Sequence, residues 1–201
     1  MNTEDSVWIG VDPGGKGNFG LAILRSGGSA HTWCVGCVEG AVQLVDKHAG
    51  SAVAGVGVDA PLRWSSGPSS DRKADQWLRH QYGLSGGQVQ ALNSLRGAAL
   101  VQGLMFVQRI RERFLGVRVT ETHPKALLRA LGIDWNILAT RFSVPVAVNS
   151  EHERDAVISA VAAREGFKGH WPNDLSTSRH PSEQDPKRFW LAPIHCYWPD
   201  A

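Results

Sequence analysis

The stretch IGVDPGGKGNFGLAIL, residues 9–24, decides how the chain begins to fold. Two apolar runs, residues 7–11 and 19–24, are separated only by a short glycine-rich turn, and this spacing predicts an antiparallel hairpin. Asp12 ends the first run, so its carboxylate is expected at the end of the first strand. The sequence therefore predicts a sheet that starts from a hairpin with an acidic residue beside its turn.

The glycines of this stretch also match two phosphate-binding patterns. Gly10, Gly15 and Lys16 follow the P-loop spacing, and Gly15, Gly17 and Gly20 follow the dinucleotide-binding spacing. Both motifs need a helix to begin at the last glycines, because its backbone amides and dipole hold the phosphate. The segment after Gly20, LAILRSGG, is about half as long as a crossover helix, and Gly17 stands where a P-loop needs Ser or Thr. The pattern favours a turn, with a P-loop or actin-like nucleotide-binding enzyme as an alternative.

Composition narrows the class of protein. A chain of 201 residues with 42% hydrophobic and 20% charged residues is typical of one soluble globular domain. We expect no secretory signal and no membrane span, because the start is acidic and polar and no apolar run is long enough. The odd number of cysteines, three, favours free thiols over a disulfide framework. Because free thiols are typical of a reducing compartment, a cytoplasmic location is expected. The net charge of +2 permits a nucleic-acid partner without indicating one.

Strand and helix patterns alternate along the rest of the chain. They predict a third strand at residues 31–38, a helix at 41–48, a buried strand ending at Asp59, helices at 71–82 and 91–114, a strand ending at Glu121, and helices at 125–131, 135–142 and 151–166. A hairpin set followed by alternating helices indicates an α/β fold with a mixed sheet. We expect residues 1–165 to form one domain, and the Trp/Pro-rich residues 166–201 to be an extension packed on it.

Four acidic residues stand at the ends of these elements. Asp12, Asp59 and Glu121 each end a strand, and Asp155 lies on the last predicted helix. Parallel strands bring their ends to one edge of the sheet, where open α/β sheets place their sites. Clustered carboxylates repel one another unless a cation lies among them, and Mg²⁺ or Mn²⁺ prefers such oxygen ligands. Two such ions ~4 Å apart can activate a water and stabilise the leaving oxygen of a phosphodiester.

Several segments, taken together, resemble a known family. IGVDPGGKGNFGLAIL, GVDAPL, ETHPKALLRALG and EHERDAVISAVAA look like the ribonuclease H-like predicted nucleases of a domain-of-unknown-function family. That family is related in pattern to the Holliday-junction resolvase RuvC. The resemblance runs from residue 7 to residue 165. It implies a five-stranded mixed sheet, with the first three strands antiparallel and with helices on both faces.

The resemblance also implies roles for individual residues. Asp12 in D-P-G corresponds to the first metal ligand, Asp59 in V-D-A-P to the second, and Asp155 in H-x-x-D-A to the helix acid. His152 occupies a place that resolvases fill with Asp or His. Glu121 in E-T-H-P matches an acid of the uncharacterised family, and resolvases have no such acid.

Other residues have two or more interpretations each. Lys16, His123 and Lys125 are candidates to face a phosphate, or they are turn and helix-cap residues. Cys34 and Cys37 have C-x-x-C spacing, which is found in redox sites and, with further ligands such as His195 and Cys196, in zinc sites. Their strand-like surroundings favour ordinary packing in the hydrophobic core.

The sequence thus predicts a divalent-metal-dependent nuclease. The predicted catalytic residues are Asp12, Asp59, Glu121, His152 and Asp155, with Mg²⁺ or Mn²⁺ as the cofactor and DNA or RNA as the partner. No membrane partner is expected, and a homodimer is compatible with the sequence. The alternatives are a non-catalytic nucleic-acid-binding or assembly module with the same fold, and the nucleotide-binding enzyme considered above.

Overall fold

The computed structural model describes residues 6–66, 71–91, 97–144, 147–185, 190 and 192–200. The strands are β1 (Val7–Asp12), β2 (Phe19–Arg25), β3 (Ala30–Val35), β4 (Val53–Val58), β5 (Val119–Glu121), β6 (Asn173–Asp174), β7 (Ile194–His195) and β8 (Tyr197–Trp198). The helices are α1 (Val38–His48), α2 (Lys73–Tyr82), α3 (Gly97–Arg113), α4 (Pro124–Leu131), α5 (Trp135–Arg141) and α6 (Glu151–Phe167). None of these helices is both long enough and apolar enough to cross a membrane.

The main sheet is mixed and has the strand order β3-β2-β1-β4-β5-β7. Strands β1, β2 and β3 are antiparallel neighbours, while β4 pairs parallel with β1, β5 with β4, and β7 with β5. The predicted α/β class and the antiparallel start are confirmed. The sheet has six strands where five were predicted, because the C-terminal segment returns and adds β7 beside β5.

The opening stretch forms the predicted hairpin. Asp12 pairs with Gly20 at the turn end of the two strands, and the Asn18 amide donates to the Gly15 carbonyl within the turn. Strand β2 begins at Phe19, so a strand and not a helix follows the glycines. The arrangement therefore lacks the helix N-terminus that a P-loop or dinucleotide-binding motif requires.

Helices cover both faces of the sheet, as predicted. The alternate residues Val7, Ile9 and Val11 of β1 pack into a core that includes residues of α1 and α3. Trp8, between them, packs into a second core that α6 dominates. This alternation sets which strand-end side chains face α6.

Helix α6 lies directly on the backbone of the sheet because three strands carry glycine beneath it. These are Gly10 on β1, Gly20 on β2 and Gly57 on β4, and a Cβ at each would lie 1.9, 2.1 and 2.0 Å from a backbone carbonyl oxygen of α6. Gly10 and Gly57 are register partners, so the contact extends across neighbouring strands. The close approach brings the first turn of α6 to the strand ends that carry acidic residues.

Some element ends differ from the prediction. The third strand stops at Val35, and α1 begins at Val38 with Cys37 as its N-cap, because the chain turns earlier than the apolar pattern indicated. Helix α2 begins at Lys73 with Arg72 as its N-cap residue, two residues after the predicted start at residue 71. Helix α3 is described from Gly97, and residues 92–96 of the predicted helix lie outside the described ranges.

Candidate metal centre

Three aspartates meet at one edge of the sheet. Asp12 is the last residue of β1, and Asp59 directly follows the parallel neighbour β4, with its amide donating to the Val11 carbonyl at 2.9 Å. Asp155 lies in the second turn of α6. One carboxylate oxygen from each lies within 4.8 Å of the others. We call Asp12, Asp59 and Asp155 the aspartate triad.

The sequence places these side chains together through a repeated pattern. The tripeptide Gly-Val-Asp occurs at residues 10–12 and again at residues 57–59, and the two copies lie side by side in register. The glycine and the aspartate of each copy share the α6 face of the sheet, because side chains alternate along a strand. The glycines admit α6, and the helix brings the third carboxylate to the other two.

Burial and mutual repulsion disfavour the ionised forms of the triad. Burial raises the pKa of Asp12 to about 6, against a lowering by the contact with His152, and the charge of Asp155 adds to the rise. Burial, followed by the charges of Asp12 and Asp155, raises the pKa of Asp59 well above its usual range. Burial also raises the pKa of Asp155, against the opposing charge of Arg154. Among the described residues, the positive charges near the triad do not offset this rise in the three pKa values.

The donor set of the triad fits a divalent metal ion. Asp155 has an ion pair with Arg154 at 2.9 Å, and Asp12 has a 2.6 Å contact with His152 Nδ1. Each of these partners is thus paired with a single carboxylate of the triad, while the charge of Lys125 acts on all three. Hard cations such as Mg²⁺ and Mn²⁺ bind carboxylate oxygens at such convergent positions.

Glu121 is not part of this group. Val119 of β5 packs into the core on the α1 and α3 side, and Glu121, two residues later, faces the same way. Thr122 faces the other way, and its hydroxyl lies 2.7 Å from the Ser159 hydroxyl of α6. The expectation that four acids form one cluster therefore holds for three of them. Glu121 shares the alternation of the apolar core residue Val119, two positions earlier in its strand. This sequence pattern is the signal that distinguishes Glu121 from the triad aspartates.

Glu121 instead binds a buried arginine that sequence reasoning missed. Arg72 is fully buried and forms ion pairs with Asp75 at 2.7 Å and with Glu121 at 2.5 Å. The other Glu121 oxygen accepts from the Leu62 amide at 2.9 Å. Although burial alone would raise the pKa of Glu121, the positive charge of Arg72 holds it well below the usual range. We call Arg72, Asp75 and Glu121 the arginine cluster.

A cleft of about 490 Å³ contains the aspartate triad. Its lining includes His152 and two of the predicted phosphate-facing residues, His123 and Lys125. The Lys125 ammonium is 2.8 Å from the Glu151 carboxylate, and that hydrogen bond raises the pKa of Lys125. Lys16 is exposed at the tip of the hairpin turn and does not line this cleft. Two of the three predicted substrate contacts thus lie beside the triad.

The cysteines do not form a site with the other candidates. Cys34 and Cys37 are exposed, so the prediction that they pack in the core is wrong. Cys34 lies on β3 and His195 on β7, which are opposite edges of the sheet, so the zinc interpretation is excluded by topology. Cys196 is buried, and burial raises the pKa of its thiol.

Comparisons with known proteins add no identification. No protein family's sequence profile matches the chain, and searches of curated proteins and of solved structures give no match. Functional inference therefore depends on the geometry and charge of the cleft.

Proposed function

We propose that this protein is a divalent-metal-dependent nuclease that hydrolyses phosphodiester bonds of DNA or RNA. The observation that supports the proposal is the convergence of the aspartate triad within 4.8 Å in a cleft. The charge of Lys125, which is itself paired with Glu151, acts on all three aspartates without offsetting the rise in their pKa values. Elsewhere in the same fold the chain neutralises buried carboxylates with Arg72. The triad is where an external cation would be bound most favourably.

Five residues of the cleft have roles in this proposal. Asp12, Asp59 and Asp155 would hold Mg²⁺ or Mn²⁺, with two ions expected. The metal would supply a water of lowered pKa and positive charge beside the phosphate. His152, one turn before Asp155, holds the Asp12 carboxylate and is placed to serve as a further ligand. Lys125 provides positive charge for the phosphate backbone.

The alternatives are weaker on physical grounds. A non-catalytic nucleic-acid-binding module would place three carboxylates against a phosphate backbone, and their charges would oppose binding unless a metal neutralised them. A P-loop enzyme would need a helix after the glycines, where the chain has β2. The actin-like alternative normally needs two domains of this kind. With the proposed nuclease we expect a cytoplasmic location, and a homodimer remains compatible.

Metal binding and cleavage can be tested on the same variants. Asp12→Asn, Asp59→Asn and Asp155→Asn should each retain the fold but lose Mn²⁺ binding in calorimetry and cleavage of labelled DNA and RNA panels. Saturating Mn²⁺ should raise the free energy of unfolding of the wild type by about 2.7 kcal/mol at 100 times its Kd. The amide keeps the shape of the side chain and removes the charge that binds the ion.

Asp46→Asn is the matched control, because Asp46 carries an exposed carboxylate paired with Arg113 outside the cleft. This variant should bind Mn²⁺ and cleave like the wild type. Full cleavage in EDTA, or undiminished cleavage by Asp12→Asn, would contradict the proposal.

A further inference from the structure

A second histidine of the cleft, His123, has one ring nitrogen directed at the arginine cluster. Its Nε2 lies 3.3 Å from Glu121 Oε1 and 3.9 Å from Asp75 Oδ1, and its side chain is 11% exposed. Both carboxylates face the Arg72 guanidinium, which favours their ionised, acceptor-only form. The negative charge of these carboxylates favours the tautomer with hydrogen on Nε2, and in that neutral ring the lone pair is on Nδ1.

The backbone holds His123 beside the triad. Val58 of β4 pairs with Glu121 of β5, and the Thr122 amide donates to the Val58 carbonyl at 2.8 Å. Asp59 directly follows Val58, and Thr122 directly follows Glu121. His123 is therefore one residue beyond the position opposite Asp59. His123 is also the N-cap residue of α4, and its carbonyl accepts from the Leu127 amide at 2.9 Å. Strand pairing and helix capping thus fix the ring at the wall of the cleft.

The two histidines of the cleft differ in which nitrogen is available. His152 Nδ1 is in contact with Asp12 at 2.6 Å, so that ring is bound to the triad itself. His123 lines the cleft and faces the arginine cluster through Nε2, so Nδ1 is the ring nitrogen that remains to accept a proton. A carboxylate behind an imidazole fixes its tautomer and stabilises the cation that forms when the ring takes a proton.

We propose that His123 is the general base of the proposed hydrolysis and that Glu121 is the residue that positions it. This inference rests on the proposed nuclease function. The attacking water would give a proton to His123 Nδ1 as its oxygen forms a bond to phosphorus. The bond from phosphorus to the leaving sugar oxygen would break, with its electron pair staying on that oxygen. Solvent would protonate the leaving oxygen, and His123 would return its proton to solvent.

Enzyme kinetics distinguish a general-base role of His123 from a purely structural one. In His123→Ala, kcat for cleavage in Mn²⁺ should fall by about 10²-fold or more, with KM and the Kd for Mn²⁺ within about twofold of wild type. Added imidazole should restore part of the lost kcat, because it replaces the missing base. Glu121→Gln should lower kcat by about tenfold, since the amide no longer provides the charge behind the ring. His80→Ala is the control, because His80 is exposed on α2 and does not line the cleft.

Nitrogen NMR of the histidine rings provides a readout that does not need activity. At a pH where the spectra show a neutral ring, wild-type His123 should be the tautomer with hydrogen on Nε2, and Glu121→Gln should shift it toward a mixture. Hydrogen on Nδ1 in the wild type would overturn the inference, as would a cleaving enzyme whose kcat is unchanged by His123→Ala. If His123→Ala does not fold, His123→Gln serves in its place.

The two proposals can fail separately. If the wild type binds no Mn²⁺ and cleaves no nucleic acid, the nuclease proposal fails and the general-base role fails with it. If the wild type cleaves and only the His123 variants behave like wild type, the nuclease proposal stands and the general-base role is overturned.

Discussion

The aspartate triad and the arginine cluster lie near each other at one edge of the sheet, but the negative charges of their carboxylates are balanced in different ways. In the arginine cluster, the chain supplies its own cation, and the pKa of Glu121 is held well below its usual range. In the triad, burial and repulsion raise the pKa values of the three aspartates. The comparison distinguishes a carboxylate that a buried arginine neutralises from three carboxylates whose negative charges the described residues do not fully offset.

The difference follows from which face of the sheet each side chain occupies. Asp12 and Asp59 share the face that α6 covers, and α6 brings the third carboxylate to it. The basic side chains that α6 also supplies, Arg154 and His152, are each paired with one carboxylate of the triad. Glu121 faces the other way, toward the N-cap residue of α2, which is the buried Arg72. Because side chains alternate between the two faces of a sheet, a shift of one position along a strand decides whether an acidic residue joins the aspartate triad or the arginine cluster.

The largest effect on stability is expected from removing the cation of the arginine cluster. Arg72→Met should lower the free energy of unfolding by about 3–5 kcal/mol, because it leaves Asp75 and Glu121 buried without a counter-ion. Urea unfolding of the metal-free protein measures the change. Adding Asp75→Asn and Glu121→Gln to Arg72→Met should recover much of the loss, since the buried charges are then removed.

Arg113→Met is the matched control, because it breaks an ion pair with Asp46 in which the arginine side chain is 61% exposed. Its effect should be far smaller than that of Arg72→Met, since solvent screens exposed pairs. Equal losses in the two variants would contradict the view that burial makes the arginine cluster structural.

The second prediction concerns the pH dependence of stability, to which the aspartate triad and the arginine cluster should contribute in opposite directions. The folded-state pKa of Asp12, about 6, lies above the unfolded value of about 3.9. The folded protein then holds more protons, so metal-free stability should fall by about 1–3 kcal/mol as pH rises from about 4 through 6. Glu121 has a folded-state pKa below its unfolded-state value. Its contribution to the free energy of unfolding is therefore present above about pH 4.3 and is lost as pH falls below that value.

Unfolding curves at several pH values test this contrast. Asp12→Asn should reduce the loss of stability between about pH 4 and 6, while Glu121→Gln should reduce the loss at more acidic pH. Saturating Mn²⁺ should reverse the first trend in the wild type, because the ion binds the deprotonated carboxylates. A wild-type stability that rises between about pH 4 and 6 without metal, and that Asp12→Asn does not alter, would contradict the raised pKa.

The smallest effect is expected for Lys16, a cation that belongs to neither group. Lys16→Ala should change stability by less than about 0.5 kcal/mol, because the side chain is exposed in a turn. Nucleic-acid binding should weaken modestly. The slope of the logarithm of the binding constant against the logarithm of the salt concentration should decrease in magnitude by about the contribution of one phosphate contact. Fluorescent oligonucleotide titrations measure both quantities. Tight Mg²⁺-dependent ATP binding that this variant abolishes would instead support a nucleotide-binding site.

Much of the fold was predictable because its signals are local. The apolar runs on either side of PGGKGN specified the hairpin, and the continuous apolar run before Asp59 specified a strand covered on both faces. The helical spacing of residues 151–166 specified α6. The resemblance to ribonuclease H-like nucleases grouped Asp12, Asp59 and Asp155, and the structure brings those three together.

Other features depended on contacts between distant parts of the chain. The sequence by itself determined the period of each element and therefore the spacing of its buried residues. Only the tertiary structure decided that Glu121 meets Arg72 from 49 residues away, that β7 joins the sheet, and that three strand glycines seat α6 on the backbone. Local periodicity fixes which side chains share a face, but the partner that covers that face is selected by packing and charge pairing over the whole chain.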